Sequence, residues 1–150
     1  MKTDSKRLID ALLLGQKSGS IIPCSQHQEM VLDHYNKPKN MGSMDEEDED
    51  VGTAIVSAPV CGDMLKLQIR VDEVGHITDT CFQTMGCCAT TASGSIATEW
   101  IKGESIDFAH HIDDKKIAKA LSLPTTEIHA SILTQDAIES AIENYERKHT

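Results

Sequence analysis

The chain has 150 residues, with 14 Lys and Arg against 24 Asp and Glu, and a formal net charge of −10. That length fits one domain able to bury a core without disulfide or metal staples. The acidic balance argues against nucleic acid, whose binding needs clustered Lys and Arg, and favours basic protein partners. No apolar run approaches the length that spans a bilayer, so no membrane partner is expected. The five cysteines, Cys24, Cys61, Cys81, Cys87 and Cys88, are odd in number and irregular in spacing. They do not read as a secreted disulfide framework; reduced thiols with a metal or sulfur role fit better. With one Trp, two Tyr and two Phe, the core must be built from Val, Ile, Leu and Ala.

Residues 1–26 stand apart as an amino-terminal extension. "SKRLIDALLLGQKSGS" sets Lys6, Arg7 and Lys17 beside a Leu-rich face, with Asp4 and Asp10 interrupting the basic character. That reads either as a weak mitochondrial transit peptide or as a flexible tail. The domain proper is expected over 27–150. A helix over His27–Lys37 is ended by Pro38, which disfavours helix in the residue before it. "DEEDED", Asp45–Asp50, cannot be buried and reads as a solvated loop.

Strands follow. In "DMLKLQIRVD", Leu65, Leu67, Ile69 and Val71 alternate with Met64, Lys66, Gln68 and Arg70, the mark of a half-buried antiparallel strand. "VGTAIVSA" before it and "HITDTCFQTM" after it are also strand-like, and a turn near Asp72–Gly75 joins the last two. A three-stranded meander results. Cys81 shares a face with Asp79 and Gln83 and is expected to be exposed. At ~3.3 Å per residue it lies too far along the strand to share a site with Cys87.

From Cys87 onward the pattern is helical. Ala89, Ala92, Ile96 and Trp100 form one stripe, stopped near Gly103. "DDKKIAKALSL" is capped by Asp113 or Asp114 and closes before Pro124. "TQDAIESAIENYERK" sets Ile138, Ala141, Ile142 and Tyr145 on one face, toward the sheet. Strands first and helices after give an α+β domain, a three-stranded antiparallel sheet packed against helices. His110 and His111 read as a surface turn.

Two short stretches carry chemistry. In "PVCGDMLKL", Cys61 and Asp63 bracket Gly62 between two strands, so a thiolate and a carboxylate can reach one cation. In "QTMGCCATT", Cys87 follows Gly86 at a strand-to-helix junction, where free N–H groups should lower its thiol pKa. A meander brings both to the same end of the sheet. His129 arrives from the loop between the last helices and offers an imidazole suited to iron or zinc. Each residue alone has a plainer reading, as buried small thiol or surface imidazole; together they form a candidate metal site. There is no nucleotide-binding glycine loop and no serine or cysteine triad signature.

The series "VLDHYNKPKNMGSM", "VGTAIVSAPVCGDMLKLQIRVDE", "FQTMGC", "ATEWIKG", "IAKALSLP" and "QDAIESAI" resembles the IscU/ISCU iron–sulfur cluster scaffold proteins, from about Met30 to Lys148. The resemblance implies an IscU/SufE-like fold and a scaffold or carrier rather than an enzyme. It implies a protein that binds iron, receives sulfur from a cysteine desulfurase and builds a [2Fe–2S] cluster. Frataxin and a ferredoxin assist, and a DnaK-type chaperone with its J-protein helps hand the cluster on. The family's ligands fall on Cys61, Asp63, Cys87 and His129. Its third cysteine, the usual sulfur acceptor, falls on Ala130, which cannot carry a persulfide. The family's chaperone-binding Leu-Pro-Pro-Val-Lys run is here Leu123, Pro124, Thr125, Thr126, Glu127, so that docking should weaken.

The expectation is therefore a [2Fe–2S] scaffold with impaired sulfur acceptance, in the mitochondrial matrix or a related organelle, or alternatively the bacterial cytoplasm. Four ligands still meet the need of two per iron, and the same four suit Fe(II) or a tetrahedral Zn(II). Cys88 is the candidate substitute acceptor, against a plainer role as a small core-facing helix residue. The alternative function is a metal-binding regulatory relative that docks the desulfurase and builds nothing.

Overall fold

The computed structural model describes residues 29–58, 62–124 and 127–149. Helix α1 (Glu29–Asn36) leads into strands β1 (Val51–Ala58), β2 (Asp63–Val71) and β3 (Ile77–Met85). Helices α2 (Cys88–Ile101), α3 (Ile106–His110), α4 (Asp114–Leu121) and α5 (Ile128–Lys148) follow. The sheet order is β1-β2-β3 and both pairings are antiparallel, the meander read from period two. Helix α1 ends ahead of Pro38 as expected; its expected start at His27, like residues 1–26, lies outside the described residues.

Helices cover one face of the sheet. Leu65, Leu67, Ile69 and Phe82 meet Ala92, Ile96, Ala137 and Ile138 there. Helix α5 crosses β1 so closely that a Cβ on Gly52 would strike the Ala141 carbonyl oxygen, which demands glycine at that position. Helix α2 is buried on nearly every side, not along one stripe. Its small residues admit the sheet beneath and α1 above. The Ser95 hydroxyl pairs with His34 Nδ1 at 2.7 Å and accepts the Lys39 N–H at 2.7 Å.

The second face of the sheet overturns the half-buried expectation. Lys66 and Gln68 are only 1 % and 0 % exposed, because the segment 40–50 folds back over them. Gln68 accepts the Met44 N–H at 2.7 Å and donates to the Met44 carbonyl at 2.9 Å and to Thr53 Oγ1 at 3.0 Å. Lys66 Nζ donates to Ser43 Oγ at 3.2 Å. Phe82 N–H donates to the Asn40 carbonyl and Gly42 N–H to the Phe82 carbonyl, each at 3.0 Å. The same cover buries Cys81, which was expected to be exposed. Burial pushes its thiol up to about 11. Strand periodicity reports which side chains share a face, not whether a distant segment returns to cover it.

The acidic loop is tied as well as solvated. Arg70 donates to Asp50 at 2.7 Å and to Asp48 at 3.3 Å, while both carboxylates keep much of their exposure. Lys148 Nζ donates to the carbonyls of Glu46, Asp48 and Val51 at 2.7, 2.9 and 2.8 Å.

Two helix boundaries sharpen the reading. Asp113, not Asp114, caps α4, accepting the Lys116 N–H at 2.8 Å. Helix α5 starts at Ile128, six residues before the expected Thr134. Ser131 Oγ donates to the Ile128 carbonyl and Thr134 Oγ1 to the Ala130 carbonyl, so polar residues that looked like loop are absorbed into the helix. His129 therefore stands in the first helical turn, not on a loop. The five-residue α3, capped by Ser105, had no expectation; His110 closes it and stays exposed with His111.

Candidate metal centre

Three elements meet at one end of the sheet. Asp63 opens β2, where it pairs with Ala58, and the neighbouring pair Met64 and Met85 brings the end of β3 alongside. Cys87 is the N-cap of α2, in an extended conformation, directly after β3. His129 descends from the first turn of α5. One ligand atom from each lies within 4.8 Å of the others.

Asp63 is the hub, and it is buried at 4 % exposure. Its Oδ2 accepts from Thr90 Oγ1 at 2.7 Å, from His129 Nε2 at 3.1 Å and from the Cys87 thiol at 3.5 Å. Cys87 Sγ also lies 3.4 Å from Thr90 Oγ1 and 3.9 Å from His129 Nε2. Gly86 makes the approach feasible: a Cβ there would come within 2.6 Å of Asp63 Oδ1. Every donor on the carboxylate is neutral or can become so. A cation that displaces the thiol and imidazole protons would find a carboxylate, a thiolate and an imidazole facing one point.

Thr90 is the residue that sequence reading missed. It sits three residues after the N-cap, where a side chain returns to the helix start, and that spacing was the available signal. The expected pKa direction of Cys87 was also wrong. Burial pushes its thiol up; the hydrogen bonds from Thr90 and the Ala89 backbone pull the other way without winning, and the Asp63 charge adds to the rise. Without a cation, Cys87 is a thiol rather than a pre-formed thiolate.

The remaining candidates divide. Cys61, two residues before Asp63, lies outside the described residues, as do Thr125 and Thr126 of the chaperone-type run. Ala130 is fully buried in the first turn of α5, facing away from solvent. Cys88 is buried and disulfide-bonded, whereas Cys81 and Cys87 are free thiols. Among the described residues no helix is long and apolar enough to cross a membrane.

Known proteins place this arrangement in a family. A scaffold protein from Escherichia coli K12, "Iron-sulfur cluster assembly scaffold protein IscU", is 50 % identical over 122 residues, covering 81 % of this chain and 95 % of that protein. "Iron sulfur cluster assembly protein 1, mitochondrial" from Yarrowia lipolytica is 53 % identical over 122 residues, covering 81 % and 67 %. The crystal structure of a nitrogen-fixing NifU-like protein (N-terminal) from Brucella abortus superimposes with a TM-score of 0.64 at 18 % identity, covering 81 % of this chain and 94 % of that one, a likeness of fold. The NifU-like N terminal domain model matches residues 26–150. The chain belongs to the NifU-like N-terminal domain family, in its IscU branch of α+β domains.

Proposed function

We propose that this chain is a scaffold for assembly and transfer of [2Fe–2S] clusters, a carrier and not a catalyst. The observation that carries the reading is the convergence of Asp63, Cys87 and His129 within 4.8 Å, in a chain half identical to proteins named as such scaffolds. Cys61 completes the set in this proposal. Two thiolates, one carboxylate and one imidazole give the four protein ligands that two irons need. Iron and sulfide are the cargo. The mixed ligand set favours release over permanent storage, because a carboxylate oxygen and an imidazole nitrogen are less suited to iron–sulfur clusters than the soft thiolates that would hold one with four cysteines. Zn(II) fits the same donors tetrahedrally and is the metal that competes for the site.

Sulfur uptake is the altered step. Ala130 offers no thiol, and its buried place in α5 gives no room to a mobile acceptor. Cys87, the free thiol within the site, is one acceptor for that role; Cys88, buried in the core and disulfide-bonded, is the other only in the reduced protein, since a disulfide sulfur is not a nucleophile. The reading brings a cysteine desulfurase as sulfur donor, frataxin and a ferredoxin as assistants, and a DnaK-type chaperone with its J-protein as weakened partners at Leu123–Glu127. It places the protein in the mitochondrial matrix or a related organelle, with the bacterial cytoplasm as the alternative.

The test is anaerobic incubation of the reduced chain with a cysteine desulfurase and cysteine, followed by intact mass and peptide mapping, and then addition of Fe(II) with reduced ferredoxin, which supplies the electrons that turn persulfide sulfur into sulfide. One added sulfur on Cys88 or Cys87, with growth of cluster absorbance, is the expected result. Desulfurase binding with no sulfur transferred and no cluster would instead make the chain a metal-binding regulatory relative.

A further inference from the structure

We propose that the open half of the β1 edge, Ile55 to Ser57, is a strand-addition site for an extended, basic segment of a partner protein. The inference stands apart from the cluster reading, because it rests on backbone groups that no metal touches.

The register decides which backbone groups point outward. Val71 N–H donates to the Asp50 carbonyl at 2.9 Å, so residues 50, 52, 54, 56 and 58 turn their backbone groups toward β2. Residues 51, 53, 55 and 57 turn theirs to the free edge. At the far end of the strand that edge is capped. Val51 N–H donates to the Asp48 carbonyl at 3.2 Å, and the Val51 carbonyl accepts from Lys148 at 2.8 Å. Thr53 N–H donates to Asn144 Oδ1 at 3.0 Å. The capping then stops. Ile55 and Ser57 have no partner for their outward N–H and C=O groups among the described residues.

Folded proteins blunt exposed edges because unpaired strands recruit other strands. Among the described residues this edge is blunted for half its length and left open for the rest. Ile55 is 36 % exposed within the open part and offers an apolar contact beside the free hydrogen bonds. Strand addition needs both: main-chain bonds for affinity and alternate side chains for specificity.

Charge selects the occupant. Asn144 marks where α5 borders the edge, and the solvent side of α5 exposes Asp136, Glu139 and Glu143, with Arg147 as the basic exception beside Asn144. None of the three carboxylates is in an ion pair among the described residues. A segment carrying Lys or Arg at alternate positions is favoured by this acidic helix surface and by the net charge of −10. A second copy of this chain would bring the same carboxylates and another −10 of charge. The location gives the contact a use, since Ser57 precedes Ala58, the register partner of Asp63. An added strand would run up to the metal centre.

The probe is the capped octapeptide Lys-Val repeated four times, with Glu-Val repeated four times as control, followed by amide hydrogen exchange in the full chain. The expected result is slowed exchange at Ile55 and Ser57 with the basic peptide only, weakening as salt rises. Ser57→Pro removes one outward donor without touching the β1–β2 ladder, a change that edge strands tolerate. It should weaken basic-peptide binding about 5-fold, the worth of one hydrogen bond, and leave metal binding unchanged. The exchange data on the unaltered chain stand even if that variant misfolds. Basic-peptide binding that leaves Ile55 and Ser57 unprotected would overturn the proposal. So would protection already present in the free chain and lost on removing residues 1–24, which makes the amino-terminal segment the occupant. Protection that grows with protein concentration would mean self-association and would overturn it as well.

Discussion

The two ends of the sheet handle negative charge in opposite ways. At the far end, Arg70 bridges Asp48 and Asp50, and the Lys148 ammonium sits among three carbonyl oxygens. That end is tied down by its own side chains, one in ion pairs and one in carbonyl hydrogen bonds. At the near end, Asp63 is more deeply buried, yet among the described residues its ionic partner is an imidazole and its other donors are a hydroxyl and a thiol. Imidazole and thiol can each give up a proton to an incoming metal ion. A fixed cation closes a loop; a proton that can leave keeps a site available.

The sharpest way to break this contrast is to remove the hub. Asp63→Ala, followed by Co(II) or Zn(II) titration, should weaken metal binding by more than the ~10–100-fold typical of losing an outer-shell partner. On the proposed reading Asp63 would ligate the metal as well as align Cys87 and His129, to which it is hydrogen-bonded. Thr90→Val tests alignment alone. It removes the 2.7 Å bond to Asp63 Oδ2 and should fall within that ~10–100-fold range. If Thr90→Val matched Asp63→Ala, the carboxylate would be a scaffold for Thr90 rather than a ligand.

Between the two ends lies Cys81, whose thiol burial pushes up to about 11 from 9.0. The folded state holds this proton more tightly than the unfolded chain does. Its contribution is full below pH 9 and is lost as pH rises toward 11, roughly 2–3 kcal/mol at 1.36 kcal/mol per pH unit. Denaturant melts across that window should show the fall in wild type and a shallower one in Cys81→Ala. Equal slopes would mean that the cover over the second face opens before the thiol ionises.

Much of this was legible in the sequence. The period-two run from Asp63 to Val71 fixed the strand and, with its neighbours, the meander that brings the two candidate stretches together. What stayed hidden was non-local. Nothing in Lys66, Gln68 or Cys81 announces that Ser43 and Met44 will return to bury them. The helical place of His129 was obscured by Ser131 and Thr134, whose hydroxyls bond back to their own helix. Cys87 was misjudged because a helix start was weighed without the burial around it. Residue types and spacing named the three side chains that converge, while burial and pKa needed the fold.

The far end supplies the remaining predictions. Lys148→Ala would strand three carbonyl groups and untie the acidic loop from α5. A loss of about 1–3 kcal/mol is expected, given ~1.5–3 kcal/mol for a hydrogen bond to a charged group and partial rescue by water. Thermal melting should fall by about 2–4 °C for each kcal/mol lost in a chain of this size. Metal affinity should not change, since the clasp and the centre lie at opposite ends of the sheet. A drop in affinity would show that α5 transmits strain from Lys148 to His129.

Arg70→Ala should have the smallest effect. Its two ion pairs are short, but the guanidinium and both carboxylates remain about a third to a half exposed. Water screens such pairs, which are worth 0–1 kcal/mol each in most measurements. The expected loss is below ~1 kcal/mol in total, shrinking further in high salt as the screening length falls. The Lys148 variant should respond less to salt, because its bonds run to carbonyl dipoles rather than to exposed charges. If Arg70→Ala proved the costlier of the two, the loop would be held by its carboxylates, and the far end would owe its closure to charge pairing instead of to the lysine seated among carbonyls.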